Sequence, residues 1–174
     1  SQLSMGDLRD MSTILGPILS PRQRDRVRRH IDNAVKNGAT IETGGNWHEN
    51  RCEPTILTGI TQAMDVCYEE TFGPVTSVYS VKDYDAALAM ANDTPYGLSS
   101  AIITNDLNKA MDFAENIDAG MVHINAPTLY DEPHVPFGGT GDSGFGREGV
   151  EVDVDALTEW KWITIQLPST ELPH

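Results

Sequence analysis

The chain has 174 residues, 39% hydrophobic and 22% charged, which are the proportions of a globular domain large enough to hold a core. Its net charge of −14 excludes nucleic acid and anionic membrane as main partners, because phosphates repel an acidic surface. No apolar run approaches the roughly 20 residues of a membrane helix. The stretch Ser1-Gln2-Leu3-Ser4-Met5-Gly6-Asp7 has neither the basic start nor the apolar segment of a signal peptide, so a cytoplasmic location is expected.

Cys52 and Cys67 lie outside any CxxC pattern and away from histidine pairs, which argues against zinc and for reduced, structural thiols. Acids flank Cys67 in Met64-Asp65-Val66-Cys67-Tyr68-Glu69-Glu70 and disfavour a thiolate there. Arg22, Arg24, Arg26, Arg28 and Arg29 crowd one segment and read as a solvated helix face, with a phosphate-facing role for one or two as the alternative. Four lysines against 26 acids make a lysine-poor, acidic surface of the kind that suits a high-salt cytoplasm.

In chain order, Ser20-Pro21 reads as an N-cap and first helical residue. Val27, Ile31, Ala34 and Val35 follow at helical spacing, and Asn37-Gly38 ends the helix. Residues 39–43 and 53–60 read as extended. A regular rhythm then sets in: strand 75–81, helix 83–92, turn at Pro95-Tyr96-Gly97, strand 98–104, helix 105–117, strand 121–125. Nearly continuous apolar strands alternating with helices predict an α/β fold, a mostly parallel sheet with helices on both faces. Residues 126–149 form a long glycine-rich loop of the kind that is usually functional. A short helical piece at 150–157 and a strand at 159–166 close the chain.

Several apparent motifs dissolve on inspection. Gly144-Phe145-Gly146-Arg147-Glu148-Gly149 fits G-x-G-x-x-G, but a loop precedes it where a dinucleotide fingerprint needs a strand. The adjacent acids of Asp131-Glu132-Pro133-His134 cannot easily face one ion, so no metal site is expected. His123, in an apolar strand, reads as a satisfied core histidine. Glu69-Glu70-Thr71-Phe72-Gly73-Pro74-Val75 is different: carboxylates at a turn can accept hydrogen bonds from a ribose diol, and the aromatic beside them can pack on a flat ring.

That segment, together with Pro136-Phe137-Gly138-Gly139, Ser143-Gly144-Phe145-Gly146-Arg147-Glu148 and Asn125 ahead of them, resembles the aldehyde dehydrogenase superfamily from about Gly16 to Gln166. The resemblance implies oxidation of an aldehyde to a carboxylic acid with NAD or NADP, through a cysteine thiohemiacetal and a glutamate general base. It implies that Glu70 holds the nicotinamide ribose, that Phe72 packs near the nicotinamide ring, and that Gln23 touches the adenosine ribose. Asn125 and Phe137 are implied to line or support the aldehyde pocket.

The loop around His123-Ile124-Asn125-Ala126-Pro127-Thr128 and the segment Trp160–Gln166 are similar to the benzaldehyde, vanillin and salicylaldehyde dehydrogenases, which implies an aromatic aldehyde. Residues 1–157 correspond to the C-terminal portion of the family's catalytic domain. Residues 158–174 correspond to its oligomerisation strand and tail, implying self-association. The family's nucleophile and general base belong to segments upstream of these residues, so the chain is expected to be inactive alone. A non-catalytic binding or regulatory module built on the same fold is the alternative.

Overall fold

The computed structural model describes residues 3–167, so Ser1, Gln2 and the end of the expected tail, 168–174, lie outside the described residues. The chain divides into two compact units, Ser1–Ala87 and Leu88–His174.

The first unit is organised by helix α1, Pro21–Lys36. Ser20 stands at its N-cap in extended geometry and Pro21 supplies a pre-set φ at the first turn. Asn37 ends it, with its backbone N–H bonded to Asn33 and Ala34 carbonyls. The buried face is Val27, His30, Ile31 and Ala34, a helical stripe facing the strands. Strand β1 (Thr40–Thr43) is followed by a small hairpin, β2 (Trp47–His48) and β3 (Arg51–Cys52), and then β4 (Thr55–Thr58). Because the hairpin turns the chain back, β4 lies antiparallel to β1, while β5 (Val75–Ser77) joins β4 in parallel. Helix α2, Asp65–Tyr68, is a single turn.

Two groups of side chains make the core of this unit. Ala34, Ala39, Leu57 and Met64 form one, and Val27, Ile31 and Cys52 the other, with Val75 packed against both. Arg28 lays its guanidinium 4.3 Å from the centre of the Trp47 ring, which fastens the hairpin to α1.

Helix α3, Tyr84–Asn92, spans the boundary between the units. In the second unit, β6 (Tyr96–Gly97) pairs antiparallel with β9 (Thr140–Gly141), and β7 (Ser99–Ile102) pairs in parallel with β8 (Met121–Ile124). Helix α4, Leu107–Asn116, makes the crossover between β7 and β8, as a parallel pair requires. Asp106 caps it, accepting from the Lys109 N–H, and it buries Ala110 and Phe113. Asn92 and residues 116–118 lock together: Asn92 Nδ2 donates to Asn116 O, and its Oδ1 accepts from Asp118 N–H, each at 2.9 Å. Helix α5, Val150–Leu157, follows the long loop.

The fold is α/β, as expected from the alternation of strands and helices. The pairing is mixed: one three-stranded sheet and three two-stranded sheets are present among the described residues, two of the ladders being parallel. The strand expected at 75–81 stops at Ser77, the last residue in register with β4, one residue before the Val78 N–H makes its bond to Leu57 O. The strand expected at 159–166 does not form. That stretch has no ladder partner among the described residues, and it leaves Trp160 and Trp162 almost fully exposed, at 99% and 92%. A strand is a paired structure, and β-forming side chains alone do not make one. No helix is long and apolar enough to cross a membrane among the described residues.

Candidate functional site

On the first unit, one face of α1 meets the loop that follows α2. Asn33 Oδ1 accepts from the Asp65 N–H at 3.0 Å and caps α2 from the side, which sets where the loop begins. Gln23, Arg26 and His30 then project toward it from successive turns. Gln23 Nε2 donates to Thr71 O at 2.7 Å and to Phe72 O at 2.9 Å. His30, wholly buried, reaches Thr71 Oγ1 with Nδ1 at 2.9 Å and Glu69 Oε2 with Nε2 at 3.1 Å.

Arg29 and Arg26 add their guanidinium groups to Glu69 at 3.0 and 3.8 Å. The hydrogen bond from His30 is the main reason the Glu69 carboxyl titrates below its ordinary value; burial opposes it, and the charges of Arg29, His30 and Arg26 act with it. His30, Asp65 and Glu69 place their ligand atoms within 4.8 Å of one another, the geometry of a metal set. Arg29 already occupies that corner, 3.0 Å from Glu69 and 3.7 Å from Asp65, and its positive charge disfavours a cation there.

The loop presents Phe72 outward. The residue is 72% exposed and its backbone is left-handed, φ +52°, a conformation that costs energy for a non-glycine residue and persists only when its surroundings impose it. The two bonds from Gln23 supply that constraint on one side. On the other, Gly73 lies so close to Val27 that no side chain fits, and Pro74 O accepts from the Thr55 N–H at 2.8 Å as the chain enters β5. A groove of about 1160 Å³ runs along this face, lined by Ser20, Arg22, Gln23, Asp25, Arg26, Arg29, Glu69 and Phe72.

Of the expected cofactor residues, Gln23 and Phe72 are thus brought together. Glu70 stands exposed between the tethered Glu69 and Thr71; its carboxylate takes no part in the His30–Glu69–Thr71 hydrogen bonds, and it is not among the residues that line the groove. The arginine cluster is not simply a solvated face. Arg24 donates to Ile18 O and Leu19 O at 2.8 and 2.9 Å, Arg28 covers Trp47, and Arg26 and Arg29 turn to Glu69. In the sequence His30 belongs to no motif, and Glu69 stands in the acid pair of the loop undistinguished from Glu70. Position 30 falls on the same helical stripe as Val27, Ile31 and Ala34, which was the available signal.

On the second unit, Asn125 follows β8 with a left-handed backbone, φ +57°. Its carboxamide clasps the end of β7: Nδ2 donates to Thr104 O and Oδ1 accepts from Thr104 N–H, both at 2.9 Å. Its observed work is to support the ends of the two parallel strands. Phe137 exchanges two backbone hydrogen bonds of 2.8 Å with Glu148, which folds the glycine-rich loop back on itself. Arg147 Nη1 holds the same loop, donating to Gly139 O at 2.9 Å and Gly146 O at 2.7 Å.

A cavity of about 330 Å³ is lined by Gly120, Met121, Val122, His123, Tyr130, Asp131, Glu132, Val135, Pro136 and Phe137. Phe137 belongs to it and Asn125 does not. His123 departs from the expectation of a satisfied core residue. It is half-buried, its Nε2 has no hydrogen-bond partner among the described residues, and its ring meets Tyr130 edge to face at 6.3 Å. The strand periodicity that placed His123 inward says nothing of what its nitrogens meet there.

Neither thiol is arranged as a nucleophile. Cys52 is 3% exposed, and burial pushes its thiol up. Cys67 is half-buried, in no disulfide, and its side chain meets that of Tyr79.

The chain is similar to known proteins over most of its length. The sequence profile described as "Aldehyde dehydrogenase family" matches residues 1–163. Benzaldehyde dehydrogenase YfmT of Bacillus subtilis (strain 168) is 38% identical over 172 residues, 99% of this chain and 36% of that protein. Vanillin dehydrogenase of Pseudomonas fluorescens is 37% identical over 164 residues, 94% of this chain and 34% of that protein. The crystal structure of a salicylaldehyde dehydrogenase from Pseudomonas putida G7, complexed with salicylaldehyde, superposes with a TM-score of 0.88 at 36% identity, covering 99% of this chain and 36% of that one. The chain therefore spans about a third of the length of the relatives it matches. With a family profile matching nearly its whole length, the chain belongs to the aldehyde dehydrogenase family.

Proposed function

We propose that these residues contribute cofactor and substrate contacts to an NAD- or NADP-dependent aldehyde dehydrogenase that oxidises an aromatic aldehyde to its acid. The observation that carries the reading is Phe72, exposed on a left-handed backbone at the end of the Gln23-bordered groove. An aromatic face held out at a structural cost suits a flat ring, and the exposed Glu70 two residues earlier suits a ribose diol. The residues present therefore fit the nicotinamide riboside half of the cofactor, with Glu70 accepting from the ribose hydroxyls, Phe72 packing on the ring and Gln23 bordering the groove. The cofactor, when bound, supplies the hydride acceptor.

Phe137 and the cavity it shares with His123 and Tyr130 are the candidate aldehyde wall, with Asn125 in support. The aromatic preference rests on the benzaldehyde, vanillin and salicylaldehyde enzymes among the relatives. The exposed run Trp160, Trp162, Ile163 and Ile165 supports an oligomerisation segment at 158–174, its stretch 159–166 completed as a strand by the edge of a second copy.

Cys52 is sealed from solvent and burial pushes its thiol up, which supports the reading that the 174 residues alone do not turn over. NAD-dependent oxidation of benzaldehyde assayed on this chain reads zero, and measurable turnover overturns that statement. In a form carrying the nucleophile, Glu70→Gln lowers turnover about tenfold or more, as loss of a positioning contact does. Unchanged kinetics remove Glu70 from the site.

A further inference from the structure

His30 is the one fully buried histidine among the described residues, and both of its ring nitrogens are spent on the loop. A carboxylate only accepts, so Nε2 carries its hydrogen toward Glu69. Nδ1 then accepts from the Thr71 hydroxyl in the neutral ring, or donates to it in the charged ring. Arg29 Nη2 converges on the same Glu69 oxygen at 3.0 Å and holds it in place. Two helical turns earlier, Gln23 grips Thr71 O and Phe72 O. Residues 69, 71 and 72 are therefore each fastened to α1, and Glu70 projects from between two fixed neighbours. An apolar side chain would fill the same space without the cost of burying an imidazole. What the imidazole adds is a bond to each side of Glu70.

We infer that His30 is a positioning residue, acting through Glu69 and Thr71 to hold Glu70 and Phe72 in the conformation that receives the cofactor's ribose and ring. The inference rests on the cofactor reading above. The left-handed backbone of Phe72 is the element that needs holding, and relaxation to the ordinary right-handed regions would turn the ring out of the groove.

The test uses the 174-residue chain, with amide ¹⁵N order parameters as one readout and titration with nicotinamide mononucleotide as the other. In His30→Ala and in Thr71→Val, order parameters at 70–72 fall from about 0.85 to below about 0.6, while those of Val27, Ile31 and Ala34 hold. His30→Gln, whose amide N–H reaches toward Glu69, recovers part of the order. Nicotinamide mononucleotide shifts the Glu70 and Phe72 amides in the unsubstituted chain, and the shift weakens about tenfold in His30→Ala, the equivalent of one lost hydrogen bond. Unchanged order at 70–72 in both variants, or disorder spreading equally along α1, overturns the inference. If His30→Ala fails to fold, Thr71→Val decides alone, because it leaves the helix untouched. Order lost in the variants with no nucleotide shift in any form upholds the tether and instead overturns the cofactor reading.

Discussion

The side-chain amide of Gln23 donates to two successive backbone carbonyls, Thr71 O at 2.7 Å and Phe72 O at 2.9 Å, and so binds the first turn of α1 to the loop that carries the exposed Phe72 ring. Replacing that amide tests how much of the loop's shape it supports. Gln23→Ala removes both bonds and costs about 1–2 kcal/mol in urea unfolding; Gln23→Glu, which sets a carboxylate against two carbonyls, costs more. Equal stability of the three proteins would show that the loop holds its shape without this residue.

Glu69 makes stability fall with acid. Its pKa is depressed in the folded chain, chiefly by the His30 hydrogen bond, so its contribution is complete above the unfolded value of about 4.3 and is lost as the pH falls through the lower folded value. Glu69→Gln therefore lowers stability near neutral pH and shallows the decline below about pH 4. Asp7, Asp10 and Glu53 are depressed as well and keep part of the acid limb. Parallel stability-against-pH curves for the two proteins would contradict this assignment.

Gly73 is required for space. A Cβ there would stand 2.6 Å from Val27 Cγ2, and Val27 is wholly buried. Gly73→Ala forces the core to shift and costs about 1–3 kcal/mol, read as a lowered urea midpoint with unchanged slope. A midpoint that does not move would show that the loop can lift away from the helix freely.

Asn125 joins two requirements in one residue: a left-handed backbone, and a carboxamide facing both backbone groups of Thr104. Asn125→Asp keeps the acceptor but sets a carboxylate oxygen against Thr104 O, and it destabilises by about 1–2 kcal/mol. Asn125→Gly keeps the backbone freedom and loses both bonds. If Asn125→Leu proves as stable as either in thermal unfolding, neither requirement is real.

Local chemistry carried much of the reading. Ser20-Pro21 and Asn37-Gly38 mark the ends of α1 because the fixed φ of proline and the left-handed backbone of glycine act within one turn, although Ser20 makes no side-chain capping bond. The parallel pair β7–β8 with α4 between follows from apolar periodicity over 98–125. The hairpin β2–β3 and the one-turn helix α2 escaped notice, since two-residue strands and a single turn leave no periodic signal. Residues 159–166 form no ladder among the described residues of the single chain for the opposite reason: their side chains favour β structure, but pairing depends on a partner edge that composition does not supply.

The sequence by itself determined that the loop at 69–75 carries acids, an aromatic and a Gly-Pro turn, and that a proline-started helix precedes it. Only the tertiary structure decided which acid is engaged. Glu69 and Glu70 are adjacent and chemically alike, but α1 brings His30, Arg29 and Arg26 against the first, while the second is exposed and outside that cluster. Hydrogen bonds and ion pairs fall off over a few ångströms, so the direction of the backbone at each residue, set by the packing of α1 against the loop, separates a structural anchor from an available ligand.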